Sequence, residues 1–131
     1  MDIPVPPPAK PGPFRVLVVD DHADSVEVVA CVLELRGHEV TTVTSADHAI
    51  RLCRDRAFDL LISDIAMPGC DGWELLAKVR AICGLKSIAL SGFARSVDVD
   101  KSLRAGFDAH LSKPVDLAAL IDTVNAVMAK E

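Results

Sequence analysis

Residues 60–69 read LLISDIAMPG, a continuous apolar run that ends on an acid and passes into a Pro68-Gly69 turn. A short Leu/Ile run bounded by turn residues is the pattern of a strand covered on both faces, here over 60–63, with Asp64 at its carboxyl end. Other segments share this form: a strand over 15–20 that ends in Asp20-Asp21, one over 39–43, one over 87–90 ahead of Ser91, and one over 109–112 ahead of Lys113. Longer amphipathic stretches separate them, so the chain reads as five βα units. Right-handed crossovers that cover both faces of a parallel sheet lead to a doubly wound open fold, whose ligands sit outside the carboxyl ends of the strands.

The helices carry their own punctuation. The first runs over 24–36 with Val26, Val29 and Leu33 on one face and Gly37 as its stop. Ser45 is placed to cap a second helix reaching residue 56, and Asp71 with Glu74 forms a capping-box pattern before Trp73, Leu75, Leu76 and Val79. Ser96 is placed to cap a fourth helix that stops at Gly106, and Asp116 starts a fifth whose inner stripe is expected to be Leu117, Leu120, Ile121 and Val124. Residues 1–13 hold six of the eight prolines and are expected to be an extended tether, with the domain over 14–131 and no room for an attached output domain.

Composition narrows the function classes. A net charge of -5 without clustered Lys and Arg argues against nucleic acid, and no apolar run approaches the roughly 20 residues that span a bilayer. With no signal-peptide pattern either, a cytosolic protein is expected. Cys31, Cys53, Cys70 and Cys83 form no C-x-x-C pair, so a zinc site is not indicated. Cys31, Cys53 and Cys83 fall on stretches read as helices and are expected to be buried thiols, with Cys70 in a loop. His22, His38 and His48 read as surface residues, and Trp73 reads as packing.

The strand ends gather Asp20, Asp21, Asp64, Ser91 and Lys113. Two unit charges ~4 Å apart interact by about 4 kcal/mol at an effective dielectric near 20, so three carboxylates need either a proton or a cation among them. Oxygen-only ligands favour Mg²⁺. A metal-bound carboxylate beside an ammonium and a hydroxyl suits in-line phosphoryl transfer, with Asp64 as nucleophile and Lys113 and Ser91 on the phosphoryl oxygens.

VLVVDD at 16–21, LLISDIAMPGCDGWEL at 60–75, ALSG at 89–92 and AGFDAHLSKPVD at 105–116 closely resemble a response-regulator receiver domain, the phosphorylated half of two-component signalling. The resemblance covers about residues 14 to 130. It implies a flavodoxin-like, three-layer αβα fold with strand order 2-1-3-4-5. It also implies Mg²⁺ held by Asp21, Asp64 and the backbone carbonyl of Ala66, with Asp20 acting mainly through water, and a cis Lys113-Pro114 bond. Asp64 would take its phosphoryl group from a histidine kinase or histidine phosphotransfer protein, and the chain would catalyse only its own phosphorylation and dephosphorylation. Ser91 and His110 would switch the face made by the fourth helix, fifth strand and fifth helix toward a downstream protein, in a monomer or a weak phosphorylation-dependent dimer.

Two departures stand out. Ala66 and Phe93 put apolar groups on the path of hydrolytic water, which predicts slow dephosphorylation, and His110 stands where the family commonly has Tyr or Phe. Histidine there leans toward receivers attached to hybrid histidine kinases. Three other readings compete. An aspartate-nucleophile phosphatase of the haloacid dehalogenase type needs a second carboxylate where Ala66 stands. A flavin module needs a Ser/Thr/Gly loop where DDHADS stands. A degenerate receiver would dock onto a partner without being phosphorylated.

Overall fold

The computed structural model describes residues 13–67, 69–92 and 96–129, apart from the side chains of 96–98. Its elements are β1 (Arg15–Val19), α1 (Ala23–Leu35), β2 (Glu39–Val43), α2 (Ala46–Asp55), β3 (Leu60–Asp64), α3 (Gly72–Arg80), β4 (Lys86–Ser91), α4 (Ser96–Ala105), β5 (Ala109–Ser112) and α5 (Leu117–Met128). All pairings are parallel and the strand order is β2-β1-β3-β4-β5. This is the doubly wound flavodoxin-like architecture expected from the sequence.

Alternation along the central strands divides the core in two. Leu17, Val19 and Leu61 face a cluster with Leu75, Leu76 and Val79 of α3 and Ala49 and Cys53 of α2. Val16, Val18, Leu60 and Ile62 face the opposite side, with Val26, Val29 and Leu33 of α1 and Leu120, Val124 and Val127 of α5. Because side chains on a strand point alternately to its two faces, a run that is apolar at every position is what a sheet covered on both sides requires. Each fully buried Leu or Ile contributes roughly 1.5–3 kcal/mol by leaving water.

The helix boundaries follow the expected chemistry with a few corrections. Ser45 accepts from the His48 N–H, Asp71 from the Glu74 N–H, and Asp116 from the N–H groups of Ala118 and Ala119. Gly37 and Gly106 adopt the left-handed backbone, φ 91° and 108°, that ends α1 and α4. Ser96 is the first residue of α4 rather than the cap before it. On α5 the inner stripe is Leu120, Val124, Val127 and Met128, while Leu117 is 40 % exposed and Ile121 half-buried. The stripe is rotated because the helix meets the sheet only after its first turn. Cys31 faces solvent on α1, and Cys83 lies past the end of α3, half-buried. Cys53 alone of the three is a buried helical thiol, and burial beside Cys83 pushes its pKa up to about 11.

His38 is not a simple surface residue. Its Nδ1 accepts from the Phe14 N–H at 3.1 Å and its ring stacks on Phe14 with centroids 5.2 Å apart. Burial and the nearby Arg36 hold its pKa below the ordinary value. Residues 1–12 of the expected 1–13 tether, the Pro68 half of the expected turn and Phe93 lie outside the described residues; Gly69, at φ 81°, is described.

Candidate functional site

Strand register assembles the site. Val19 of β1 lies beside Ser63 of β3, so the next residues, Asp20 and Asp64, emerge side by side. Asp64 is paired with Leu90 of β4, and Ser91 with Ser112 of β5, which brings Ser91 and Lys113 to the same rim. Loop hydrogen bonds fix these ends: Asp20 N–H to Val43 O at 3.2 Å, Ile65 N–H to Leu90 O at 3.0 Å, and Lys113 N–H to Ser91 O at 2.7 Å. The Lys113-Pro114 bond is cis.

Gly72 sets the start of α3 against β3. A Cβ there would lie 2.5 Å from the Asp64 carbonyl oxygen and 2.7 Å from the Ile65 Cα, a backbone approach only glycine permits. Its N–H also donates to Ile65 O at 3.1 Å. One residue on, Trp73 is half-buried, and its Nε1 donates to Ser102 Oγ on α4 at 3.1 Å, with the Lys101 ammonium 4.0 Å from the ring centroid. Trp73 therefore packs, as its sequence context indicated, and also ties α3 to α4.

Asp20, Asp64 and Ser91 are buried, at 0 %, 2 % and 3 % exposure, whereas Asp21 and Ala66 lie at the open mouth. The Lys113 ammonium reaches Asp20 Oδ2 at 2.6 Å and Asp64 Oδ2 at 3.2 Å. The Ala66 N–H donates to Asp64 Oδ1 at 3.1 Å, and the His22 N–H to Asp20 Oδ1 at 2.9 Å. Burial raises the pKa of Asp64, helped by the Asp20 charge and only partly offset by Ala66 and Lys113. Burial also acts against ionised Asp20, but Lys113 and the His22 N–H outweigh it and hold Asp20 below its ordinary value. Burial likewise works against the Lys113 charge, and the two carboxylates overcome it, raising the Lys113 pKa. The ammonium is thus committed mainly to Asp20.

The structure brings together the strand-end residues expected from sequence, and places His110 half-buried on β5 opposite Ala89 of β4. It adds His22, a surface residue as its sequence context indicates, to the rim of the site. The ring is exposed, yet its Nδ1 lies 3.2 Å from Asp20 Oδ1, 3.1 Å from Asp21 Oδ1 and 3.9 Å from Asp64 Oδ2. Its adjacency to Asp20-Asp21 was the only available signal.

An acidic pocket at the carboxyl ends of five parallel strands, closed by one lysine, defines the receiver class of signalling domains. Residues 16–125 match the response regulator receiver domain, and the chain belongs to that family. It is 41 % identical over 112 residues to an uncharacterized 14.6 kDa protein of Leptolyngbya boryana, covering 83 % of this chain and 86 % of that one. It is 36 % identical over 132 residues to the virulence sensor protein BvgS of Bordetella pertussis, covering 94 % of this chain but only 11 % of the sensor. Among solved structures it resembles a CheY-like response regulator receiver domain protein of Methanospirillum hungatei, with TM-score 0.80, 32 % identity and coverage of 86 % and 91 %. The chain is a receiver domain of the two-component type. No helix among the described residues is long and apolar enough to cross a membrane.

The pocket's donor set fits a hard divalent cation. Ligand atoms of Asp20, Asp21, His22 and Asp64 all lie within 4.8 Å of one another. With all three carboxylates ionised, the single Lys113 ammonium leaves two negative charges uncompensated, the charge that one divalent ion supplies.

Proposed function

We propose that Asp64 accepts a phosphoryl group from the phosphohistidine of a histidine kinase or phosphotransfer protein, and that this changes the surface formed by α4, β5 and α5. The observation that carries the reading is the side-by-side placement of Asp20 and Asp64 with Lys113 bridging them. An Asp64 oxygen attacks phosphorus in line, the P–N bond breaks, and the imidazole leaves with the electron pair and takes a proton from solvent. No general base is needed when Asp64 is ionised. Asp21, Asp64 and the Ala66 carbonyl would hold Mg²⁺, with Asp20 acting through water; the ion, when bound, neutralises charge on the transferring group and keeps Asp64 ionised. Lys113 leaves Asp64 to meet a phosphoryl oxygen, and Ser91 donates to another.

Ser91 ends β4 and His110 lies on the adjoining strand, so a shift of the Ser91 hydroxyl toward the phosphoryl group is felt at His110 and along the outer face of β5. That face would bind the downstream protein. The chain would act catalytically only on its own phosphorylation and dephosphorylation, in the cytoplasm, as a monomer or weak dimer. Relatives such as the Bordetella sensor, in which the matching segment is about a tenth of the length, support a kinase or phosphorelay partner.

Intact mass after incubation with acetyl phosphate tests this. One phosphoryl group is expected on the wild type with Mg²⁺, and none without metal or in Asp64→Asn. If the wild type gains no mass with Mg²⁺, Asp64 is not an acceptor and the domain is a docking module.

A further inference from the structure

We propose that His22 is a nitrogen ligand of the divalent-ion site, giving this receiver a preference for first-row transition ions over magnesium. The inference rests on reading the acidic cluster as the metal site. Its own basis is the position of one ring: Nδ1 lies 3.1–3.9 Å from a carboxylate oxygen of each of Asp20, Asp21 and Asp64. No other histidine belongs to a cluster of this kind among the described residues.

Local structure holds the ring there. His22 precedes α1 in an extended conformation, φ -98° and ψ 106°, and makes no side-chain capping bond to the helix. Its backbone N–H is anchored to Asp20 Oδ1 at 2.9 Å, which folds the turn back over the pocket. The ring is about two-thirds exposed, so an ion with its remaining waters can reach Nδ1 from the solvent side.

Carboxylates and carbonyls suit magnesium, whereas an imidazole nitrogen adds affinity for nickel and its neighbours. Magnesium gives up water reluctantly and gains little from the nitrogen. The ratio of nickel to magnesium affinity is therefore the property His22 would set. A ring that only hydrogen-bonded to the carboxylates would weaken or spare both ions alike, and the ratio would not change on its removal.

Titrating untagged protein with Ni²⁺ and with Mg²⁺, read by Trp73 fluorescence, separates the cases. The ratio of affinities is expected to fall about tenfold or more in His22→Ala and in His22→Asn. Mn²⁺-loaded wild type should show imidazole nitrogen coupling in its electron spin echo, and His22→Ala should not. An unchanged ratio, or no nitrogen coupling in the wild type, overturns the proposal. Asp21→Asn distinguishes the two levels. Loss of both ions in that variant with an unchanged ratio in His22→Ala refutes only the role of His22, whereas full retention of both ions in Asp21→Asn refutes the metal site itself. Because the ring caps nothing, both His22 variants should keep the wild-type melting temperature.

Discussion

At the amino end of β4, Asp108 accepts from the Ser87 N–H at 2.8 Å, the Ser87 hydroxyl at 3.4 Å and the Arg80 guanidinium at 3.3 Å. At the carboxyl end of the same sheet, Asp20 and Asp64 divide one ammonium, with Asp21 close by. The first arrangement gives one carboxylate several donors, so it clasps α3 to the strands. The second gives several carboxylates too few donors, so it stores repulsion that a bound cation would relieve. Burial alone does not separate the two; the ratio of charges to donors does.

Removing the scarce donor should have the largest effect. Lys113→Met leaves buried carboxylates unpaired and is expected to destabilise the metal-free protein by about 3 kcal/mol, read by urea unfolding in chelator at neutral pH. A loss below about 1 kcal/mol would show that the cluster is neutralised by other means. At the clasp, Asp108→Ala strips the acceptor from the buried Ser87 N–H and should cost about 1–3 kcal/mol, while phosphorylation by acetyl phosphate continues. Equal damage to phosphorylation would erase the distinction between the two ends.

The smallest change has the opposite sign. Asp64 titrates above its ordinary 3.8 in the folded chain, so the folded state binds the extra proton and stability falls as pH rises from 3.8 through the folded value. Asp20 behaves the other way, adding stability that is present above 3.8 and lost as pH falls through its depressed folded value. Asp64→Asn removes only the first effect. It should be more stable than wild type by about 1 kcal/mol at neutral pH without metal, with the gain vanishing below about pH 4. A gain that is the same at both pH values would mean that Asp64 carries no repulsion.

The fold was legible because its central strands carry continuous Val, Leu and Ile runs and end on residues that no core tolerates without partners. Asp20, Asp64 and Ser91 each end such a run, Lys113 follows the last strand, and parallel register brings them to one rim. What sequence did not disclose depends on contacts between distant segments or on the rotation of a helix. Six large apolar side chains on α5 allow more than one inward arc, and only docking on β4 and β5 leaves Leu117 outside. His38 packs on Phe14, 24 residues away, which no local pattern encodes. His22 looks like any turn residue until the backbone bond to Asp20 directs its ring over the pocket.

The contact of Gly72 with the Asp64 backbone has a consequence for heredity. A codon eight positions downstream of Asp64, specifying a residue with no functional group, is expected to tolerate as little change as that of Asp64 itself. Every missense change there inserts a side chain where the Asp64 strand already lies, so lesions at position 72 would imitate loss of Asp64 while leaving that aspartate intact.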